Sequence, residues 1–162
     1  MSYAPPAPDE TNSARRMALA VRENPRTDRD YIVSVYKSMT APQKAGALAE
    51  ITCHIRYVPD RLVCDTLQLE KYFKLLAWTG GNGIEEMANT IADDFCNEVI
   101  PRWVSVNLTL PYGEFQSGVQ TSVHVEDRQP NWDNPSLLQQ PQLRAVKFLP
   151  SSAAMGQIKP LR

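Results

Sequence analysis

The chain has 162 residues, and its 17 Lys and Arg nearly balance its 18 Asp and Glu, for a formal net charge of -1. That length suits one domain of ordinary size, and the balanced charge gives no support to nucleic-acid binding. No apolar run approaches the length of a membrane span, and the opening MSYAPPAPDETNSARR has no apolar core for a signal peptide. The three cysteines, Cys53, Cys64 and Cys96, match neither a disulfide framework nor a zinc site. A soluble, cytoplasmic protein with reduced thiols is expected.

Residues 1–28 read as a flexible arm. Ala4-Pro5-Pro6-Ala7-Pro8 resists both helix and central strand. A short helix fits Asn12 to Arg22, where Met17 and Val21 fall four apart, with Pro25 stopping it. The domain proper is expected over residues 29–128. Tyr31 to Tyr36 is β-branched and aromatic and predicts a strand. Ile51 to Tyr57 alternates, with Ile51, Cys53, Ile55 and Tyr57 on one face and Thr52, His54 and Arg56 on the other. Leu69, Tyr72, Phe73 and Leu76 have helical spacing, and Thr79-Gly80-Gly81-Asn82-Gly83 breaks the pattern. Ile84, Met87, Ala88, Ile91, Phe95 and Val99 form the stripe of a second helix, which Pro101 closes. Val104 to Leu110 and Val119 to Glu126 alternate as two further half-buried strands.

The order strand, strand, helix, helix, strand, strand predicts an α+β fold: an antiparallel sheet with two helices on one face. Such a small sheet has two open edges and one bare face, and pairing edges between copies would cover both. From Gln129 to Arg162 the chain reads as an irregular Pro- and Gln-rich tail, with a short docking segment at Val146 to Leu149. Arg144, Lys147, Lys159 and Arg162 make its end basic.

Chemistry-bearing residues are few. His54 and His124, the only histidines, sit on separate strands and do not make a metal site, so no metal is expected. Cys53 falls on an apolar strand face and Cys96 on a helix flank, both structural positions. Cys64, in Arg61-Leu62-Val63-Cys64-Asp65, is the one cysteine in a site-forming loop. Gly80-Gly81-Asn82-Gly83 lacks the lysine and the preceding strand of a phosphate loop. Glu85 and Glu86 open the second helix, where the helix dipole stabilises acids by roughly 0.3–1 kcal/mol each. On the helical wheel Glu86 points away from the apolar stripe and Glu85 flanks it. A partly buried Glu85 would need a partner, and a carboxylate accepts two parallel N–H bonds, which suits the amidine-like edge of guanine or a pterin.

Glu50 to Val106 resembles the 7-cyano-7-deazaguanine reductases, which reduce a nitrile to an amine in queuosine biosynthesis. Ile55-Arg56-Tyr57-Val58-Pro59-Asp60 is similar to that family's strand ending in Pro-Asp. Leu69-Glu70-Lys71-Tyr72 stands where its Leu-Lys-Leu-Tyr helix begins, and Glu85-Glu86-Met87-Ala88-Asn89-Thr90-Ile91 resembles its Glu-Asp-x-x-Asn-x-Ile stretch. The resemblance implies a tunnelling fold, in which sheets from several subunits join into a barrel with sites at their interfaces. It also implies that Glu85 anchors a ligand's heterocycle and that Thr66 lies in a ligand-binding segment.

The departures change the implied chemistry. The family's Cys-Pro-x-Thr-Gly-Gln-Pro-Asp stretch is Ala41-Pro42-Gln43-Lys44-Ala45-Gly46-Ala47-Leu48 here, so Ala41 falls at the nucleophile and no acid at the proton donor. Ile84 replaces the histidine before the glutamate. The Glu-Ser-Lys-Ser segment, which contributes to substrate and NADPH binding, is Cys64-Asp65-Thr66-Leu67, and Pro-Arg-Gly-Gly is Pro111-Tyr112-Gly113-Glu114. No cofactor is firmly implied, and these changes put NADPH in doubt.

Three readings follow. The first is a divergent tunnelling-fold homo-oligomer that binds a purine-, deazapurine- or pterin-like heterocycle through Glu85. If it is an enzyme, its chemistry is altered and its catalytic candidates are Cys64, Asp65 and His54. The second is a non-enzymatic assembly or protein-interaction module whose arm and tail contact partners. The third is a working reductase with Cys64 recruited as nucleophile.

Overall fold

The computed structural model describes residues 8–42, 48–79, 83–110 and 119–140. Its elements in chain order are α1 (Pro8–Ala18), β1 (Val21–Glu23), β2 (Val33–Pro42), β3 (Leu48–Val58), β4 (Leu62–Cys64), α2 (Leu69–Thr79), α3 (Ile84–Glu98), β5 (Trp103–Leu110), β6 (Thr121–Arg128) and α4 (Pro135–Leu138). The strand, strand, helix, helix, strand, strand core is present as β2, β3, α2, α3, β5 and β6. It is a mixed α+β fold with antiparallel sheets.

The main sheet has the order β2-β3-β5-β6, every pair antiparallel, so β2 and β6 are its outer strands. Strand alternation sorts its side chains to two faces. Val35, Ile55, Val106 and Val125 form one cross-strand row, and Cys53, Leu108 and Val123 belong to the next. These residues pack with Tyr72, Phe73 and Leu76 of α2 and with Met87, Ala88, Ile91 and Phe95 of α3 in a single core cluster. Tyr57, Tyr72, Phe95, Ile55, Leu76 and Ile91 are almost fully buried, and each contributes about 1.5–3 kcal/mol by leaving water. Cys53, expected on the apolar face, is buried there.

The N-terminal region departs from expectation. Helix α1 begins at Pro8, where proline is compatible with a first helical turn, and it packs on α2. Its buried residues are Arg15 and Ala18, with Leu19 buried just beyond its end, whereas Met17 is 80% exposed and Val21 lies on a strand. The expected helix over Asn12–Arg22 is therefore displaced toward the N-terminus and turned about its axis. Strand β1 pairs with β4 in a separate two-stranded ribbon. The arm expected over residues 1–28 is thus built onto the body from Pro8 onward.

Of the tail expected over residues 129–162, residues 129–140 are fastened by side chains. Trp132 Nε1 and Asn134 Nδ2 both donate to Asp30 Oδ2, at 3.2 and 3.0 Å. Arg102 donates to Asp30 Oδ1 at 2.6 Å and to Asp60 Oδ1 at 3.2 Å. Gln129 Nε2 donates to Asp60 Oδ2 at 3.2 Å. The docking segment expected at 146–149 lies outside the described residues.

Candidate functional site

The first group of candidates lies at the start of α3. Gly83 is its N-cap, at φ 95°, a left-handed conformation that glycine adopts without steric cost. A Cβ there would meet Glu85 Oε2 at 2.9 Å, so the Glu85 carboxylate curls back over the cap. Asn89 Nδ2 donates to the Glu85 carbonyl at 2.8 Å and leaves the carboxylate to other partners. Glu85 and Glu86 are both exposed in the single chain, so the partial burial considered for Glu85 is not present there.

The second group lies at the junction of β4 and α2. Cys64 is not in a loop: it ends β4, paired with Val21 of β1, and is 2% exposed. Burial, with Asp65 adding to it, pushes its thiol up to about 12. A thiolate nucleophile is strongly disfavoured in that setting. Asp65 is engaged locally: its backbone N–H donates to Ala20, and its Oδ1 accepts from Leu67 N at 3.0 Å, shaping the turn into α2. Thr66 is exposed beside it. Among the described residues no hydrogen bond joins this group to Glu85.

The third group is the sheet face opposite the helices. Register places Tyr36, His54, Asn107 and His124 in one row across all four strands. Ser34, Arg56, Ser105 and Glu126 form the next row, and Ser38, Thr52, Thr109 and Ser122 another. His54 stacks on Tyr36 with ring centroids 4.0 Å apart. Its Nε2 is sealed from solvent and has no hydrogen-bond partner among the described residues. Burial, and then the nearby Arg56 charge, hold its pKa below the ordinary 6.5. His124 Nδ1 donates to Asn107 Oδ1 at 2.8 Å, and Asn107 Nδ2 donates to Ser105 Oγ at 3.4 Å.

Arg56 is 8% exposed, and its guanidinium lies 5.6 Å from the centre of the Trp103 ring. Such stacking contributes about 0.5–2 kcal/mol, less than the several kcal/mol that desolvating an ion costs. The Trp103 indole N–H turns toward Glu126 without closing a hydrogen bond of standard geometry. Partial burial would raise the Glu126 carboxyl, but Trp103, Arg128 and His124 together hold it below its ordinary value.

The structure thus separates the candidates into a helix end with Glu85, a strand end with Cys64, Asp65 and Thr66, and a sheet face with His54. The partners of His54 were only half visible in sequence. Alternation placed Arg56 beside it, but nothing local marked Arg56 as buried or set Trp103, Ser105 and Asn107 against it.

Comparison with known proteins gives the chain its relatives. Over 144 residues it is 30% identical to the NADPH-dependent 7-cyano-7-deazaguanine reductase of Acidithiobacillus ferrooxidans, covering 78% of this chain and 89% of that protein. The chain belongs to the NADPH-dependent 7-cyano-7-deazaguanine reductase family. The reductase of the same name from Nitrosococcus oceani is 32% identical over 123 residues, which are 73% of this chain and 90% of that one. The match to the one from Prosthecochloris aestuarii is 32% over 94 residues. No family profile matches the chain. Among solved structures, the apo form of the archaeosine synthase QueF-Like aligns at 20% identity and a TM-score of 0.45, covering 59% of this chain and 91% of that one.

The reductases are named for NADPH, and the described residues that the resemblance sets at the family's cofactor segment do not fit its phosphates. Cys64 is buried, Asp65 is an acid, and Thr66 replaces a lysine, so the segment offers negative charge where a phosphate needs positive charge. Tyr112, at the matching arginine, lies outside the described residues.

Proposed function

We propose that this family member binds a purine-, deazapurine- or pterin-like heterocycle through Glu85, at an interface between copies assembled as a tunnelling-fold barrel. It does not perform ordinary NADPH-dependent nitrile reduction. The observation that carries this reading is Glu85 itself. It is an exposed carboxylate with no ion pair among the described residues, at the position that matches the family's heterocycle anchor. Two parallel N–H donors on a guanine-like edge would satisfy both of its oxygens. A single chain leaves that carboxylate open, so a second copy has to supply the rest of an enclosed pocket. The outer strands β2 and β6, whose outer edges are unpaired among the described residues, offer a route through which copies can join.

The lost chemistry follows from Ala41. It lies on β2, pairs with Ala49, and has no group that could attack a nitrile. The protein mixed with 7-cyano-7-deazaguanine and NADPH is expected to bind the heterocycle without oxidising NADPH. Steady nitrile-dependent NADPH oxidation would overturn this reading. A folded oligomer that binds no such heterocycle would favour an assembly or interaction role instead.

A further inference from the structure

We propose that the sheet face opposite the helices holds a site for a small oxyanion, a phosphate or carboxylate group, centred on the Arg56 guanidinium. Among the described arginines, Arg15, Arg16, Arg26, Arg102 and Arg128 each pair with a carboxylate. Arg22, Arg29 and Arg61 have no such pair but are exposed to water. Arg56 alone among them is both buried, at 8% exposure, and without a carboxylate partner among the described residues. Its guanidinium nitrogens are not among the sealed polar atoms that lack a partner, so a small anion can reach them, and the face of Trp103 supplies only a partial counter-charge.

Its surroundings supply further donors. His54 stands two residues away on the same face of β3, about 7 Å along the strand. Its Nε2 is buried without a partner, and a neutral imidazole can carry its proton there. Ser105, directly across from Arg56, accepts from Asn107, so its hydroxyl proton is left to donate. Glu126, the carboxylate in this row, is one strand further away and is already held by Arg128. A guanidinium fork, a hydroxyl and an imidazole N–H match an oxyanion, because every one of them donates. The site does not depend on the Glu85 reading.

The test is calorimetric titration of the full chain with inorganic phosphate and, separately, acetate at constant ionic strength. Nitrogen-15 spectra of the Arg56 Nε–H would be followed in parallel. Saturable binding of at least one anion is expected, with the Arg56 resonance shifting along the same isotherm. Arg56→Gln should weaken it roughly tenfold or more, while Arg26→Gln, an exposed arginine paired with Asp28, should leave it unchanged. Tighter binding of phosphate identifies a phosphate-bearing ligand, and tighter binding of acetate a carboxylate. Absence of saturable binding in the wild-type chain, an Arg56 signal that does not move, or full binding by a folded Arg56→Gln would each overturn the site. The first two outcomes decide the matter even if Arg56→Gln does not fold.

Discussion

Arg15 and Asp94, separated by 79 residues, form a two-pronged ion pair inside the protein. Nε meets Oδ2 at 2.7 Å and Nη2 meets Oδ1 at 3.1 Å. Tyr72 Oη donates to the same Asp94 Oδ2 at 2.8 Å, so one buried carboxylate ties α1, α2 and α3 together. Breaking such a pair leaves an uncompensated buried charge, which costs about 3–5 kcal/mol, whereas replacing both members with apolar residues can be nearly neutral. Arg15→Met should therefore lower stability by about 3 kcal/mol or more in urea denaturation. Arg15→Met combined with Asp94→Leu should recover most of that loss. Equal stability of Arg15→Met and the wild type would mean that α1 does not dock as described.

Asp30 supplies the acid dependence of the C-terminal attachment. Partial burial would raise its carboxyl, but bonds from Asn134, Arg102 and Trp132 outweigh it and hold the pKa below the ordinary 3.8. A depressed folded-state pKa stabilises the protein above the unfolded value, and the benefit is lost as pH falls through the folded value. Asp30→Asn should thus be less stable than the wild type at pH 6, and the gap should narrow below the ordinary carboxyl pKa. Urea midpoints measured across that range check this; a gap that widens on acidification contradicts it.

The cysteines are expected to be sluggish. Burial pushes the thiols of Cys53 and Cys64 up to about 12, and that of the half-buried Cys96 up to about 11. Iodoacetamide near neutral pH should label native Cys64 far more slowly than urea-unfolded Cys64, as read by peptide mass mapping. Fast native labelling of Cys64 would restore it as a recruited nucleophile.

Much of the fold was legible because its strongest signals are periodic and local. Alternation marked β3 and β5, and the stripes Leu69-Tyr72-Phe73-Leu76 and Ile84-Met87-Ile91-Phe95 marked α2 and α3. Ends were less visible: β2 begins at Val33 rather than Tyr31 and runs to Pro42, since its length is set by pairing with β3. The features that sequence reading missed all depend on distant partners. Arg15 looks like a solvated helix residue until Asp94 is placed against it. Cys64 looks like a loop residue until β1 pairs with β4. In the candidate site, Glu85 could be singled out by position, whereas the burial of Arg56 depends on Trp103 arriving from β5.

The central claim is that Glu85 anchors a heterocycle. Calorimetric titration with 7-cyano-7-deazaguanine, guanine and a pterin, using the wild type, Glu85→Ala and Glu86→Ala, tests it most directly. The expected result is saturable binding of at least one heterocycle by the wild type and Glu86→Ala, and its loss in a folded Glu85→Ala. Binding that survives in Glu85→Ala, or that is absent from the well-folded wild type, would contradict the claim.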